Sequence, residues 1–288
     1  MVNAEFYETV ENNLVRCNLC PHECLISNGN TGFCRTRVNL LGTLYSKTYG
    51  HISSIALDRV EKKPLYQFHP GKYLLSIGSY SCNMRCGFCQ NYEISQEYDE
   101  DFASGRSFLP SEIVDMAVYL KPKGNIGIAY TYNEPLINYE FVSECAKISR
   151  EHGLLNVLVT NGFINEQPLV KILPYIDAAN IDLKSFSDDF YRSCDGAIST
   201  VKNTIEIMYK YCHIEVTTLV IPDENDSVSN IDALTSWLAS IGEDIPLFLS
   251  RFFPRYQYLG YNPTSIESLK ELKQVAERHL KYVYLGNV

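Results

Sequence analysis

The chain has 288 residues, 45% of them hydrophobic and 20% charged, which is the balance of a folded globular protein and excludes a disordered one. A net charge of −9 and an isoelectric point near 5.2 argue against a broad phosphate-binding surface and set nucleic acid aside as a partner. No run approaches the length of about eighteen apolar residues that spans a bilayer, and Met1-Val2-Asn3-Ala4-Glu5-Phe6 carries no basic-then-apolar leader, so a cytoplasmic protein without a membrane partner is expected.

Residues 1–46 read as a small cysteine-rich module. Cys17, Cys20, Cys24 and Cys34 are spaced C-x2-C-x3-C-x9-C, with glycines and polar residues between them. Four thiolates at such spacing suit tetrahedral zinc or an iron–sulfur cluster, and a site with all four ligands is closed, hence structural or electron-relaying. Ten cysteines without a leader point to metal binding in a reducing compartment rather than to disulfides. Cys145, Cys194 and Cys212 stand apart from the clusters and read as buried small hydrophobes.

From 47 to 288 the pattern is α/β. Apolar runs rich in branched and aromatic residues at 73–77, 126–130, 155–160, 179–183, 214–221 and 247–252 predict strands. Helical patterns fall at 110–120, with Ser111 as a cap, and at 141–152, 166–173, 200–211, 228–241 and 265–280. Alternating strands and helices imply parallel βα units, and six strands fit a partial (β/α)6 TIM-like barrel better than a closed eight-stranded one. The run 282–285 offers an extra strand.

Just after the first predicted barrel strand comes Ser79-Tyr80-Ser81-Cys82-Asn83-Met84-Arg85-Cys86-Gly87-Phe88-Cys89, in which Cys82, Cys86 and Cys89 are spaced C-x3-C-x2-C. Iron–sulfur clusters usually take four thiolates, so three leave one iron open for chemistry. In α/β barrels such groups gather at the carboxyl ends of strands, where this loop falls. With Phe88 before Cys89, the string resembles the signature of the radical S-adenosylmethionine (radical SAM) superfamily. The resemblance implies a [4Fe-4S] cluster on Cys82, Cys86 and Cys89, with S-adenosylmethionine chelating the open iron. It further implies reductive cleavage to methionine and a 5′-deoxyadenosyl radical that abstracts a hydrogen atom.

Tyr130-Thr131-Tyr132-Asn133-Glu134-Pro135 is similar to the superfamily's Gly-Gly-Glu-Pro string, with Tyr132 and Asn133 where the glycines stand. It implies Glu134 as acceptor for the methionyl amino group, aided by Thr131 or Asn133. Thr160-Asn161-Gly162 and Asp182-Leu183-Lys184 resemble strings of the glycyl-radical-enzyme activases, which implies Thr160, Asn161 and Asp182 at the ribose or carboxylate and Lys184 as the carboxylate's counter-charge. Two positions depart from those relatives: Val159 stands where an aspartate precedes Thr-Asn-Gly, and Phe248 where a histidine is common, with Arg251 either a substitute contact or a member of a structural ion pair.

The N-terminal cysteines, the string 58–66 and His69-Pro70-Gly71 resemble the radical SAM member of the AmmeMemoRadiSam set, homologues of pyruvate formate-lyase activating enzyme. That resemblance implies an activase that takes hydrogen from a protein, with flavodoxin or ferredoxin as electron donor. Direct radical modification of a small molecule or peptide is the alternative, and a non-catalytic electron-transfer protein a distant third. The loop 255–261, with Tyr256, Tyr258 and Tyr261, is the candidate surface for a protein or peptide substrate.

Overall fold

A computed structural model describes residues 1–98 and 106–288. Six short strands come first: β1 (Val2–Asn3), β2 (Tyr7–Thr9), β3 (Val15–Cys17), β4 (Leu25–Ile26), β5 (Arg37–Leu40) and β6 (Thr43–Ser46). They form two antiparallel sheets, ordered β1-β6-β5 and β2-β3-β4. Val15, Ile26 and Leu44 from these sheets join the same hydrophobic core as the barrel residues Ile128, Leu158 and Ile181.

The main sheet has eight strands in sequential order: β7 (Ser54–Arg59), β8 (Tyr73–Gly78), β9 (Asn125–Tyr130), β10 (Leu155–Thr160), β11 (Ala178–Asp182), β12 (His213–Val220), β13 (Leu247–Arg251) and β14 (Val283–Gly286). Strands β8 to β14 run parallel. β7 pairs antiparallel with β8. All six anticipated strands are present, the run 282–285 provides most of a seventh parallel strand, and β7 is an edge that the sequence pattern did not mark. Among the described residues β7 and β14 are not paired to each other, so the barrel is partial.

The helices are α1 (Tyr92–Ser95), α2 (Pro110–Tyr119), α3 (Tyr139–Glu151), α4 (Glu166–Ile172), α5 (Asp188–Ser193), α6 (Ile198–Met208), α7 (Val228–Ile241) and α8 (Ile266–Ala276). Ser111 does not cap α2. Pro110 begins that helix, and the Leu109 N–H donates to Glu112 Oε2 at 2.7 Å, so a carboxylate in the first turn holds the entry instead.

The segment between β7 and β8 closes the amino-terminal end of the barrel. The backbone N–H groups of Tyr66 and Gln67 donate to the buried Glu215 carboxylate of β12 at 2.9 and 2.8 Å, and Asn180 Nδ2 donates to the Pro64 carbonyl at 2.9 Å. The Tyr66 ring packs on Phe248 and Tyr284 with centroids 4.7 and 5.0 Å away. Val60 and Leu65 complete an inner cluster with Leu74, Ala129, Val157 and Ala178. With that end filled, the cavity opens at the strands' carboxyl ends.

Candidate active site

After β8 the chain turns through the cysteine loop, held by two asparagines at the ends of neighbouring strands. Asn133 Oδ1 accepts from the Ser79 N–H at 2.9 Å, and its Nδ2 donates to the Ser81 carbonyl at 2.9 Å. Asn161 Nδ2 donates to Asn83 Oδ1 at 2.9 Å and lies 3.4 Å from Cys82 Sγ, while its Oδ1 accepts from the Phe163 N–H at 2.8 Å. Both amides are therefore occupied in shaping the loop. Ser81, at φ +73°, sits in the left-handed region between these anchors.

Cys82, Cys86 and Cys89 face one cavity of about 360 Å³, shared with Phe88, Glu134 and Lys184. Among the described residues no three His, Cys, Asp or Glu side chains gather around a single ion, and this cavity is far larger than an ion requires. The Met84 N–H donates to Cys82 Sγ at 3.3 Å, and Cys89 Sγ lies 3.1 Å from Ser95 Oγ, whose hydroxyl donates to the Asn91 carbonyl. Three thiols on one loop, polar contacts at two of the sulfurs and room beyond them fit a cluster with an open iron. Burial pushes the Cys82 and Cys89 thiols up, and the neighbouring Cys194 together with burial raises Cys86. Ligation therefore releases protons.

Glu134 stands at the end of β9 and is buried. Its carboxylate accepts from the Leu136 N–H at 3.0 Å, the Asn161 N–H at 2.8 Å and the Thr160 hydroxyl at 2.9 Å, which leaves acceptor capacity for one more donor. Burial raises this carboxyl to about 7, although the three donors oppose the shift. Tyr132 has φ +71°. Its hydroxyl donates to Asp58 Oδ2 at 2.8 Å, and Lys63 Nζ lies 4.5 Å from its ring centre, contacts that offset the backbone strain.

Asp182 and Lys184, at and just beyond the end of β11, form an ion pair of 2.9 Å on the cavity wall. Burial works against the Lys184 ammonium, but Asp182 holds it charged. Thr131 lines the same cavity, as does the departure Val159. Phe88 is buried against Phe190 and Tyr258, with ring centres 5.6 and 5.7 Å away. Phe248 belongs to the aromatic floor beneath Tyr66. Arg251 donates from Nε to the Thr264 carbonyl at 2.8 Å and stacks over Phe253 at 4.9 Å, a structural placement outside the cavity lining.

In the N-terminal module Cys17, Cys20, Cys24 and Cys34 border one small pocket together with Arg37. The Phe33 N–H lies 3.3 Å from Cys24 Sγ, and the Thr36 hydroxyl 3.2 Å from Cys34 Sγ. Arg37 is 1% exposed and ion-pairs with Glu140 of α3. The module also touches the cysteine loop: His22 Nε2 donates to the Asn83 carbonyl at 2.8 Å, and Arg85 Nη2 donates to the Phe33 carbonyl at 2.6 Å.

Sequence reasoning did not single out Asp58 or Lys63, and it reads Cys194 only as a buried small hydrophobe. Asp58 and Lys63 lay inside a string noticed only for its resemblance. Cys194 has no neighbouring cysteine in sequence, and its carbonyl meets the Arg85 N–H of the cysteine loop, at 2.9 Å, only through the fold.

A partial parallel barrel with a three-thiol loop after its first parallel strand, and polar groups on the next three strand ends, is the arrangement of an α/β-barrel enzyme whose three thiols fit an iron–sulfur cluster. The chain belongs to the Radical SAM superfamily, whose family profile matches residues 76–232. It is 41% identical to the uncharacterized protein MJ0808 of Methanocaldococcus jannaschii, covering 100% of this chain and 86% of that one. It is 25% identical to the pyruvate formate-lyase-activating enzyme of Clostridium pasteurianum, over 69% of this chain and 87% of the relative. In fold it is similar to Streptococcus suis SuiB bound to precursor peptide SuiA, with a TM-score of 0.57 at 12% identity, covering 72% of this chain and 47% of SuiB. Among the described residues no helix is long and apolar enough to cross a membrane.

Proposed function

We propose that this chain is a cytoplasmic activase-like radical SAM enzyme that takes a hydrogen atom from a protein substrate. The observation that carries the reading is the convergence of Cys82, Cys86 and Cys89 with Glu134 and Lys184 on one cavity. A [4Fe-4S] cluster on the three thiols supplies, when bound and reduced, the electron that splits S-adenosylmethionine into methionine and the 5′-deoxyadenosyl radical. Glu134 receives the methionyl ammonium through its remaining acceptor position, and Lys184 offsets the carboxylate. Asp182 and Thr131 would orient the ribose and methionyl groups, Phe88 would wall the cavity beside the three thiols, and Asn133, Thr160 and Asn161 keep Glu134 and the loop in register. Flavodoxin or ferredoxin supplies the electron.

In this reading residues 1–46 form a cysteine-rich module, packed into the same core as the barrel, whose four cysteines hold zinc or a second iron–sulfur cluster. The Phe33 N–H at Cys24 and the buried Arg37, whose Nη1 lies 3.9 Å from Cys17 Sγ, favour an anionic thiolate centre there. The protein substrate is inferred from the likeness to the Clostridium pasteurianum activating enzyme. The test is anaerobic incubation of the reduced protein with S-adenosylmethionine and a candidate glycyl-radical enzyme, followed by electron paramagnetic resonance. A persistent glycyl-type doublet on the partner is expected. Cofactor consumption with a modified small molecule or peptide and no protein radical overturns the activase reading in favour of direct modification.

A further inference from the structure

The residues assigned to the cofactor line the cavity from the loop after β8 and from the ends of β9, β10 and β11. The rest of its wall includes Lys62 and Lys63, which follow β7, Thr217 of β12, Ser250 of β13 and Asn287 beyond β14, and the proposed cofactor binding uses none of them. β7 and β14 are the edges of the sheet that do not pair with each other, so this wall lies toward the gap in the barrel. Its charge is unbalanced. Lys62 Nζ and Lys63 Nζ approach Asp58 Oδ1 and Oδ2 at 3.2 and 2.9 Å, so two ammonium groups share one carboxylate. Lys63 is buried and lies against the Tyr132 ring, whose hydroxyl also donates to Asp58 Oδ2, whereas the Lys62 side chain is 71% exposed. Lys184, the third lysine on the cavity, is already matched by Asp182. Thr217 is 9% exposed, and among the described residues its buried hydroxyl has no hydrogen-bond partner. Such a group calls for an acceptor from outside the chain. Ser250 Oγ accepts from Asn287 Nδ2 at 3.0 Å, which leaves the Ser250 proton to donate.

We propose that this wall is the substrate subsite, in which Lys62 binds the carboxylate of an aspartate or glutamate near the residue that loses its hydrogen, and the Thr217 hydroxyl donates to an oxygen of the same segment. The inference rests on the activase-like reading of this cavity. Lys63 and Tyr132 hold Asp58 from one side, so Lys62 is the loosely kept member of the trio and can turn to a second carboxylate without stranding a buried charge. A carboxylate brought to it restores one anion for each ammonium, and the contact is a charge-assisted one. The whole chain carries −9, so no general attraction draws an acidic segment to the protein, and the local surplus at Lys62 and Lys63 has to select it.

The experiment is calorimetric titration of the full chain, as purified and after anaerobic reconstitution, with two acetylated and amidated peptides, Gly-Ala-Glu-Gly-Ala and Gly-Ala-Gln-Gly-Ala, and with glutarate. In both states the glutamate peptide is expected to bind about tenfold more tightly than the glutamine peptide, the worth of one hydrogen-bonded charge. Lys62→Met, which keeps the Asp58–Lys63 pair, is expected to cut that ratio to about twofold, with Lys62→Gln behaving alike if the methionine variant misfolds. Thr217→Val is expected to weaken both peptides about threefold and to keep the ratio. Equal binding of the two peptides, binding of neither, a ratio unchanged in the Lys62 variants or affinities unchanged in Thr217→Val overturns the proposal. Glutarate binding as tightly as the glutamate peptide overturns the assignment of the carboxylate to a protein segment. No titration uses cofactor cleavage, so lost discrimination beside intact 5′-deoxyadenosine formation refutes the subsite alone, and absent cleavage beside retained discrimination refutes the radical chemistry alone.

Discussion

The Ser81 hydroxyl donates to the Cys34 carbonyl at 2.5 Å, joining the residue before the first thiol of the barrel loop to the last thiol-bearing residue of the N-terminal module. His22 adds a second link through the Asn83 carbonyl at 2.8 Å, and Asn83 in turn accepts from Asn161. The two thiol groups are therefore parts of one hydrogen-bonded assembly. His22→Ala removes one link at a cost of about 1 kcal/mol in stability. Hydrogen exchange at residues 81–96 is expected to quicken and iron retained after reconstitution to fall, while exchange in β11 and β12 stays as in the wild type.

Glu134 makes the site pH-dependent. Burial raises its carboxyl to about 7, so the folded protein keeps a proton that the unfolded chain releases near 4.5. Its contribution to stability is full below the unfolded value and is lost as pH rises through the folded one. Glu134→Gln carries no such charge, so its stability relative to wild type should rise by on the order of 3 kcal/mol between about pH 5 and 8. In wild type, S-adenosylmethionine affinity measured by equilibrium dialysis should increase as pH passes 7 and the carboxylate ionises; the variant should bind weakly at every pH.

Asp58 has the opposite sign. Burial works to raise its carboxyl, but hydrogen bonds from Lys63 and Tyr132 more than offset this and hold it well below the usual carboxylate range. The resulting stability is present above the unfolded value of 3.8 and is lost as pH falls through the lower folded one. Asp58→Asn leaves the buried Lys63 ammonium without its partner and should cost about 3–5 kcal/mol at neutral pH, measured by denaturant unfolding.

Gly127 pairs with Leu155 where β9 meets β10, and a Cβ there would lie 2.0 Å from the Leu155 carbonyl oxygen. Backbone cannot swing aside as a side chain can. Gly127→Ala should therefore cost on the order of 3 kcal/mol and lower cofactor affinity, because Glu134 and Thr160 sit at the ends of those two strands. Unchanged thermal unfolding would contradict this register.

Much of the fold was legible because the barrel strands are local patterns: branched and aromatic runs bounded by helices. β7 was not, since Ser54–Arg59 is only partly buried at a sheet edge and shows no clean alternation. In the site, residue type and strand position identified the side chains that share the cavity, but not what each touches. Asn133 and Asn161, read as cofactor contacts, have their amides engaged with the cysteine loop, a role set by the distance between strand ends. Cys194 reads as packing because the cysteine loop lies far upstream, and only tertiary structure sets its carbonyl against the Arg85 N–H.

The most direct measurement is of reductive cofactor cleavage. The protein is reconstituted without oxygen, iron and sulfide are counted, and methionine and 5′-deoxyadenosine are followed after reduction in the presence of S-adenosylmethionine. A four-iron cluster on Cys82, Cys86 and Cys89 predicts both products in equal amounts from wild type and neither from Cys86→Ala, with the variant still folded by circular dichroism. Wild type that holds its cluster yet forms no 5′-deoxyadenosine, or a Cys86→Ala variant that forms it undiminished, would contradict the account.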